Sequence, residues 1–220
     1  MDQHETHDDT LRLWMVRHGQ TLFNELGLAQ GWCDSPLTDE GRRGVTALAD
    51  ELREIEWSGV YASSSERAVD TAEMLLEGRM PVVRDWRWKE FNFGVWEARP
   101  NVEMIEALRS LTDSADPLVA MRGLLRGDHP ALERGESGAQ YASRVNAAIA
   151  DIRARHRSGD VLVVTHGMTI GVAAALADPD FDFGHGQGNA TFSLVEYAAD
   201  GSASIRAHGA SSRSVLSIVR

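Results

Sequence analysis

A chain of 220 residues that is 43% hydrophobic and 25% charged has the composition of one sizeable folded domain, or one domain with a lid, and not of a disordered chain. Its formal net charge of −11 leaves a nucleic-acid partner without an electrostatic footprint, so an anionic ligand must be met by a local cluster of cations. Arginine supplies nearly all of these, Lys89 being the only lysine, and Cys33, the only cysteine, rules out an internal disulfide.

The first ten residues are acidic and contain His4 and His7. They lack an apolar core, so they read as a frayed polar tail and not as a signal peptide or metal site. No apolar run is long enough to span a bilayer. A cytoplasmic protein without a membrane partner is expected.

Leu11 to Val16 is a short apolar run that reads as a buried strand. It stops at Arg17-His18-Gly19. Ligands of open α/β sheets bind at the carboxyl ends of strands. Arg17 brings a forked cation suited to phosphate oxygens. His18 brings a nucleophile or base that is partly neutral near pH 7, and Gly19 lets the backbone turn sharply. Asn24 adds a neutral donor. The plainer alternative is a strand end with a surface arginine and a capping histidine.

Residues 30–38 are rich in turn formers. Thr38 caps a helix that runs to about Ile55, with Val45, Leu48, Ala49 and Leu52 on one face. Gly59 to Ser63 is a second strand. It runs into Ser63-Ser64-Ser65, a serine cluster that opens a helix, where free backbone N–H groups suit an anion. Arg67 lies in that first turn. Taken alone, this segment reads more simply as a capped surface helix with a solvated arginine.

Pro81 to Arg84 is a third short strand. The aromatic stretch 86–97 follows and carries Glu90; aromatic surroundings make a carboxyl hold its proton, as an acid catalyst requires. Residues 99–135 read as an inserted helical cap. It has one amphipathic helix over 101–111 and a second over 116–125, with Arg122, Arg126, His129 and Arg134 crowding the approach to Gly135-Glu136-Ser137. A polar excursion with no ligand contact reads equally well.

A long helix over 138–155 leads to a second buried strand, Val161 to Thr165, which ends in His166-Gly167. Met168 to Leu176 is helical. Residues 189–197 alternate as a strand and can pair with 203–208 across the Asp200-Gly201 turn. Strands alternating with helices imply a mainly parallel sheet covered on both faces. Two strands side by side would aim His18 and His166 into one crevice.

Taken together, these residues resemble the histidine phosphatase superfamily, with its phosphoglycerate-mutase-like fold, over nearly the whole chain. The parts come in family order. They are Arg17-His18-Gly19-Gln20-Thr21 with Asn24, then Gly31 with Asp34-Ser35-Pro36-Leu37-Thr38, then Arg67 within Ser-x-x-x-Arg-Ala-x-x-Thr-Ala. Glu90 with Gly94-x-Trp96-Glu97, Gly135-Glu136-Ser137 and Thr165-His166-Gly167 complete the set.

The resemblance implies one domain over 1–220, a three-layer α/β/α sandwich with a cap over 99–135. It also implies phosphoryl transfer through a phosphohistidine on His18. Arg17, Arg67, Asn24 and His166 would bind the transferring group, with Gly19, Gln20, Thr21 and Gly167 beside it, and Glu90 would be the proton donor. His18 must then be unprotonated at the attacking nitrogen, so its other nitrogen should donate to a fixed acceptor such as a backbone carbonyl. Two arginines and the histidines can neutralise the charge of phosphoryl transfer, so no metal or cofactor is expected. The partner is a small phosphorylated metabolite; a homodimer stays open.

Leu22 and Asn24 depart from the acid-phosphatase branch. Phe91-Asn92-Phe93-Gly94 stands where mutases carry Arg-His-Tyr-Gly, so the loop looks like the small-molecule phosphatase branch. Residue 98 is Ala where that branch usually has Gly. Three other readings stay open: a phosphoglycerate-type mutase, a non-catalytic phospho-ligand binding protein of the same fold, and a zinc site of His18, His166 and Glu90. The last lacks helical ligand spacing and sets a cation beside two arginines.

Overall fold

The computed structural model describes residues 9–110, 123, 131–182 and 186–211. Six strands form one sheet in the order β3-β2-β4-β1-β5-β6. They are β1 Leu11–Arg17, β2 Trp57–Ser63, β3 Val83–Asp85, β4 Gly159–Thr165, β5 Phe192–Tyr197 and β6 Ala203–Ala210. β1, β2, β3 and β4 run parallel, and β5 and β6 are antiparallel additions at one edge. The helices are α1 Leu22–Glu25, α2 Asp39–Leu52, α3 Glu66–Leu76, α4 Asn101–Ser110, α5 Gly138–Arg155 and α6 Gly167–Ala177.

The two central strands carry side chains to both faces, as a doubly covered sheet requires. Leu13 and Met15 of β1 and Val161 and Val163 of β4 face one core with Tyr141, Val145 and Ile149 of α5 and Ile170 and Val172 of α6. Trp14, Val16, Leu162 and Val164 face the other, against Val45, Leu48 and Leu52 of α2 and Leu75 of α3. Burying each such aliphatic side chain contributes about 1.5–3 kcal/mol. The fold is therefore helices on both faces of a mainly parallel sheet, as the alternation of elements implied. The third strand begins two residues later than expected, at Val83, and α2 ends at Leu52. Among the described residues, no helix is long and apolar enough to cross a membrane.

Of the segment read as a cap, the structure describes the first helix, whose Met104 is buried in the α5 and α6 core, and the turn at 131–135. Apart from residue 123, the second helix expected over 116–125, with Arg122, Arg126 and His129, lies outside the described residues. Arg134 is exposed, in a left-handed turn.

The register of β1 on β4 positions everything that follows. Arg17 lies opposite Thr165, and the His18 amide donates to the Thr165 carbonyl at 3.0 Å. The two strands thus end level, and the residues after them emerge side by side. The loop after β1 is pressed onto the start of α2. A Cβ at Gly41 would stand 2.1 Å from the Gln20 carbonyl, and one at Gly19 would stand 2.8 Å from Val45 and 3.0 Å from the Gly41 carbonyl. Ala98 holds a left-handed φ of 62° so that its amide can reach the Ala29 carbonyl at 2.8 Å, a conformation that favours glycine.

Two substitutions test these close approaches, and each runs against ordinary propensity. Gly41→Ala improves an α2 helix position yet forces the loop away; it should cost about 1–3 kcal/mol in urea unfolding. Ala98→Gly removes a Cβ yet relieves left-handed strain, and should raise stability by about 1 kcal/mol. A stabilised Gly41→Ala or a destabilised Ala98→Gly would contradict this packing.

Candidate active site

His18 and His166 leave adjacent strand ends and meet with ring centroids 5.2 Å apart. Both are buried. Nδ1 of His18 lies 2.8 Å from the Gly19 carbonyl. A carbonyl only accepts, so Nδ1 carries the proton and Nε2 keeps its lone pair. That lone pair faces Arg67, whose Nε donates to it at 3.3 Å. In His166, Nδ1 lies 3.0 Å from Nη2 of Arg67 and must accept. Its Nε2 therefore donates to Ser63 Oγ at 2.8 Å.

Arg67 is the hub. It is 1% exposed, so every N–H needs an acceptor. Besides the two imidazoles, Nη1 donates to the Cys33 carbonyl at 2.9 Å and to Asp34 Oδ1 at 3.0 Å, and Nη2 donates to the Gly31 carbonyl at 2.8 Å. Glu97 holds the other side of the same segment. Its carboxylate accepts the amides of Gly31, Trp32 and Cys33 at 2.8–3.1 Å, and that of Phe93 at 3.0 Å. Residues 31–33 are thus stretched between a cation that takes their carbonyls and an anion that takes their amides.

Arg17 reaches the same crevice from the end of β1. Its Nη1 donates to the Gln187 carbonyl. Its Nε is buried with no hydrogen-bond partner among the described residues. Gly167 packs behind it, with the guanidinium 3.6 Å from where a Cβ would stand. Burial, and then the Arg67 charge, press the Arg17 guanidinium below its ordinary value, with Glu90 opposing.

Glu90 lies in the loop after β3 and is 7% exposed. Aromatic residues flank it, but the atoms that meet its oxygens are donors: the Phe91 and Met168 amides, both at 3.0 Å, and the Tyr141 hydroxyl at 2.6 Å. Arg144 fixes the loop. It donates to the carbonyls of Arg87, Lys89 and Glu90 at 2.6–2.8 Å while its other edge pairs with Glu136 at 2.6 Å. Neither Arg144 nor Tyr141 was legible beforehand, since on a helical pattern one reads as solvated and the other as core.

The remaining candidates are placed as follows. Asn24 Oδ1 accepts from Asn189, which also donates to the His18 carbonyl, so the side-chain amide of Asn24 is tied to the backbone of His18. The Gly19 amide donates to Thr71 Oγ1 at 3.0 Å, Gln20 Oε1 accepts from Thr38, and Thr21 caps α1 and donates to Gln30. These groups hold the loop together. The serine cluster at the start of α3 does not leave its helix end open: Asp34 takes the Glu66 amide at 2.6 Å. Among the described residues, no three His, Cys, Asp or Glu side chains converge as metal ligands do.

A family model for the histidine phosphatase superfamily (branch 1) matches residues 13–209. A probable phosphoglycerate mutase, GpmB, of Erwinia tasmaniensis is 32% identical over 164 residues, covering 74% of this chain and 72% of that protein. The crystal structure of a phosphoglycerate mutase from Bacillus anthracis superposes with a TM-score of 0.82 at 26% identity, covering 99% of this chain and 100% of that one. A mycobacterial glucosyl-3-phosphoglycerate phosphatase superposes with a TM-score of 0.75 at 26% identity, covering 92% and 100%.

Burial, and then the Arg67 charge, hold both imidazoles well below the ordinary histidine range. They are neutral in the native protein through the neutral range, whereas in the unfolded chain each takes up a proton as pH falls through about 6.5. The unfolded state then binds more protons, so stability falls below about pH 6.5, by up to about 1.4 kcal/mol per pH unit for each histidine. Urea unfolding between about pH 7.5 and about pH 5.5 should show this loss, and His18→Asn should lose less over the same range. An equal slope in the variant would mean that His18 is not neutral when folded.

Proposed function

The chain belongs to the histidine phosphatase superfamily, and from this we propose that it hydrolyses phosphomonoesters of a small metabolite through a phosphohistidine on His18, without a metal ion. One observation carries the reading: a buried imidazole with its proton committed to the Gly19 carbonyl and its lone pair turned towards Arg67 and His166. Such a nitrogen is a nucleophile already in the right tautomer.

Nε2 attacks phosphorus, the N–P bond forms, and the P–O bond to the alcohol breaks. Glu90 protonates the leaving oxygen. The Nε and Nη2 protons of Arg67, which point at the imidazoles in the free protein, turn to the phosphoryl oxygens, and the unpartnered Nε of Arg17 meets another. This charge neutralisation is the bulk of catalysis for a loose transition state. In the second half, Glu90 takes a proton from water as its oxygen attacks phosphorus. The N–P bond breaks, orthophosphate leaves, and Nε2 regains its lone pair.

Hydrolysis is favoured over mutase chemistry by the segment after Glu90. Phe91 and Phe93 are buried, with rings 5.4 Å apart. They turn into the core and offer no cation to retain a phosphorylated acid or shield the phosphoenzyme from water. The mutase names of relatives keep that activity as the second reading. A mutase keeps its phosphohistidine, whereas a phosphatase hydrolyses it quickly.

His18→Ala should abolish turnover while the protein stays folded, and labelled substrate should leave an acid-labile phosphate on the wild type alone. Glu90→Gln should slow alkyl phosphates by about 10²–10⁴-fold and p-nitrophenyl phosphate far less, because that leaving group needs little protonation. Activity should persist in EDTA. Near-wild-type turnover of His18→Ala would refute the nucleophile. A screen of phosphorylated metabolites by kcat/KM then identifies the substrate.

A further inference from the structure

The two oxygens of Glu90 are not equivalent. Oε2 accepts the Met168 amide at 3.0 Å, in the first turn of α6. Oε1 accepts the Phe91 amide at 3.0 Å and the Tyr141 hydroxyl at 2.6 Å, and Thr169 Oγ1 lies 3.3 Å away. The hydroxyls of Tyr141 and Thr169 are 2.8 Å apart, and Thr169 is also 3.1 Å from the Lys89 carbonyl. Tyr141 and Thr169 are fully buried.

Packing does not explain the phenol oxygen. The Tyr141 ring sits edge-on to Phe91 at 5.4 Å with the Arg144 guanidinium 4.5 Å from its centroid, contacts that a phenylalanine would keep. A buried hydroxyl costs free energy unless it is hydrogen-bonded. Here that bond goes to the carboxyl that gives and takes the proton. Burial, with the Glu90 charge beside it, holds the Tyr141 phenol well above its ordinary value, so it acts as a donor and never as a base.

We infer that Tyr141 is a positioning residue for proton transfer: its hydroxyl commits Oε1 of Glu90 to the interior and leaves Oε2 as the oxygen that exchanges the proton. The inference rests on the reading of Glu90 as acid and base. With Glu90 ionised, the chain runs from Thr169 to Tyr141 to Oε1, each hydroxyl donating to the next, and the bond to the charged oxygen stabilises the carboxylate. With Glu90 protonated on Oε2, Oε1 is a carbonyl oxygen and still accepts from Tyr141. Thr169 can donate to Tyr141 or to the Lys89 carbonyl in either state. No buried group loses its partner in either state, so one network serves both half-reactions.

Tyr141→Phe removes the donor and leaves the ring. The charged form of Glu90 then lacks one of its hydrogen-bond donors. For an alkyl phosphate, the alkaline limb of the kcat profile should move up by about one pH unit, kcat should fall about three- to tenfold, and KM should stay within about twofold. In a Glu90→Gln background, Tyr141→Phe should change kcat by less than about twofold, because the group it serves is gone. If Tyr141→Phe does not fold, Thr169→Val, which keeps the shape, should move the limb in the same direction. An unmoved limb, or the same loss in the Glu90→Gln background, overturns the assignment while leaving the hydrolytic reading intact. A Glu90→Gln enzyme as fast as wild type on the alkyl ester overturns both.

Discussion

Arg67 carries a positive charge into a place almost without water, and the surrounding architecture makes this tolerable. An isolated buried guanidinium would be ruinous to stability. Asp34 supplies the countercharge, two loop carbonyls take further protons, and two neutral imidazoles take the rest. The imidazoles are neutral partly because of that same charge. One cation therefore does three things. It anchors the loop at 31–33, adds to burial in holding His18 below its ordinary value, and aims two N–H groups at the space where a phosphoryl group is proposed to sit.

A second buried cation repeats the device on the other side of the crevice. Arg144 pairs with Glu136 and gathers three carbonyls of the Glu90 loop. In each case an irregular loop gains rigidity from a guanidinium that grips its carbonyls, and the guanidinium is made affordable by a carboxylate. Loops built this way can hold functional groups as firmly as a strand does. This is how Glu90, which lies outside any strand or long helix, has every contact to its carboxyl fixed.

Much of the fold was legible because its signals are local. The apolar runs before His18 and His166 are too continuous for amphipathic elements and read as buried strands. Thr38 reads as a helix cap because its side chain satisfies a nearby amide. The site was only partly legible. The motif around His18 draws attention to Gly19, Gln20 and Thr21, yet their polar groups go to Thr71, Thr38 and Gln30, partners up to 52 residues away. Taken alone, the serine cluster before Arg67 reads as a capped surface helix with a solvated arginine, but Arg67 is buried and Asp34, distant in sequence, takes the Glu66 amide. Tyr141 carries no signal at all, since a tyrosine on the apolar face of a helix looks like core.

By itself the sequence determined which elements form and which residue types stand at strand ends, because periodicity, caps and turns depend on neighbours along the chain. It named two histidines, two arginines and a glutamate as candidate chemical groups. Only the tertiary structure decided the tautomer of His166, which guanidinium joins the two imidazoles, and which donors meet each oxygen of Glu90. Those outcomes rest on hydrogen bonds between residues as far as 103 positions apart. Such partners are set by the register of β1 on β4 and by what the buried loops must satisfy, and not by local sequence.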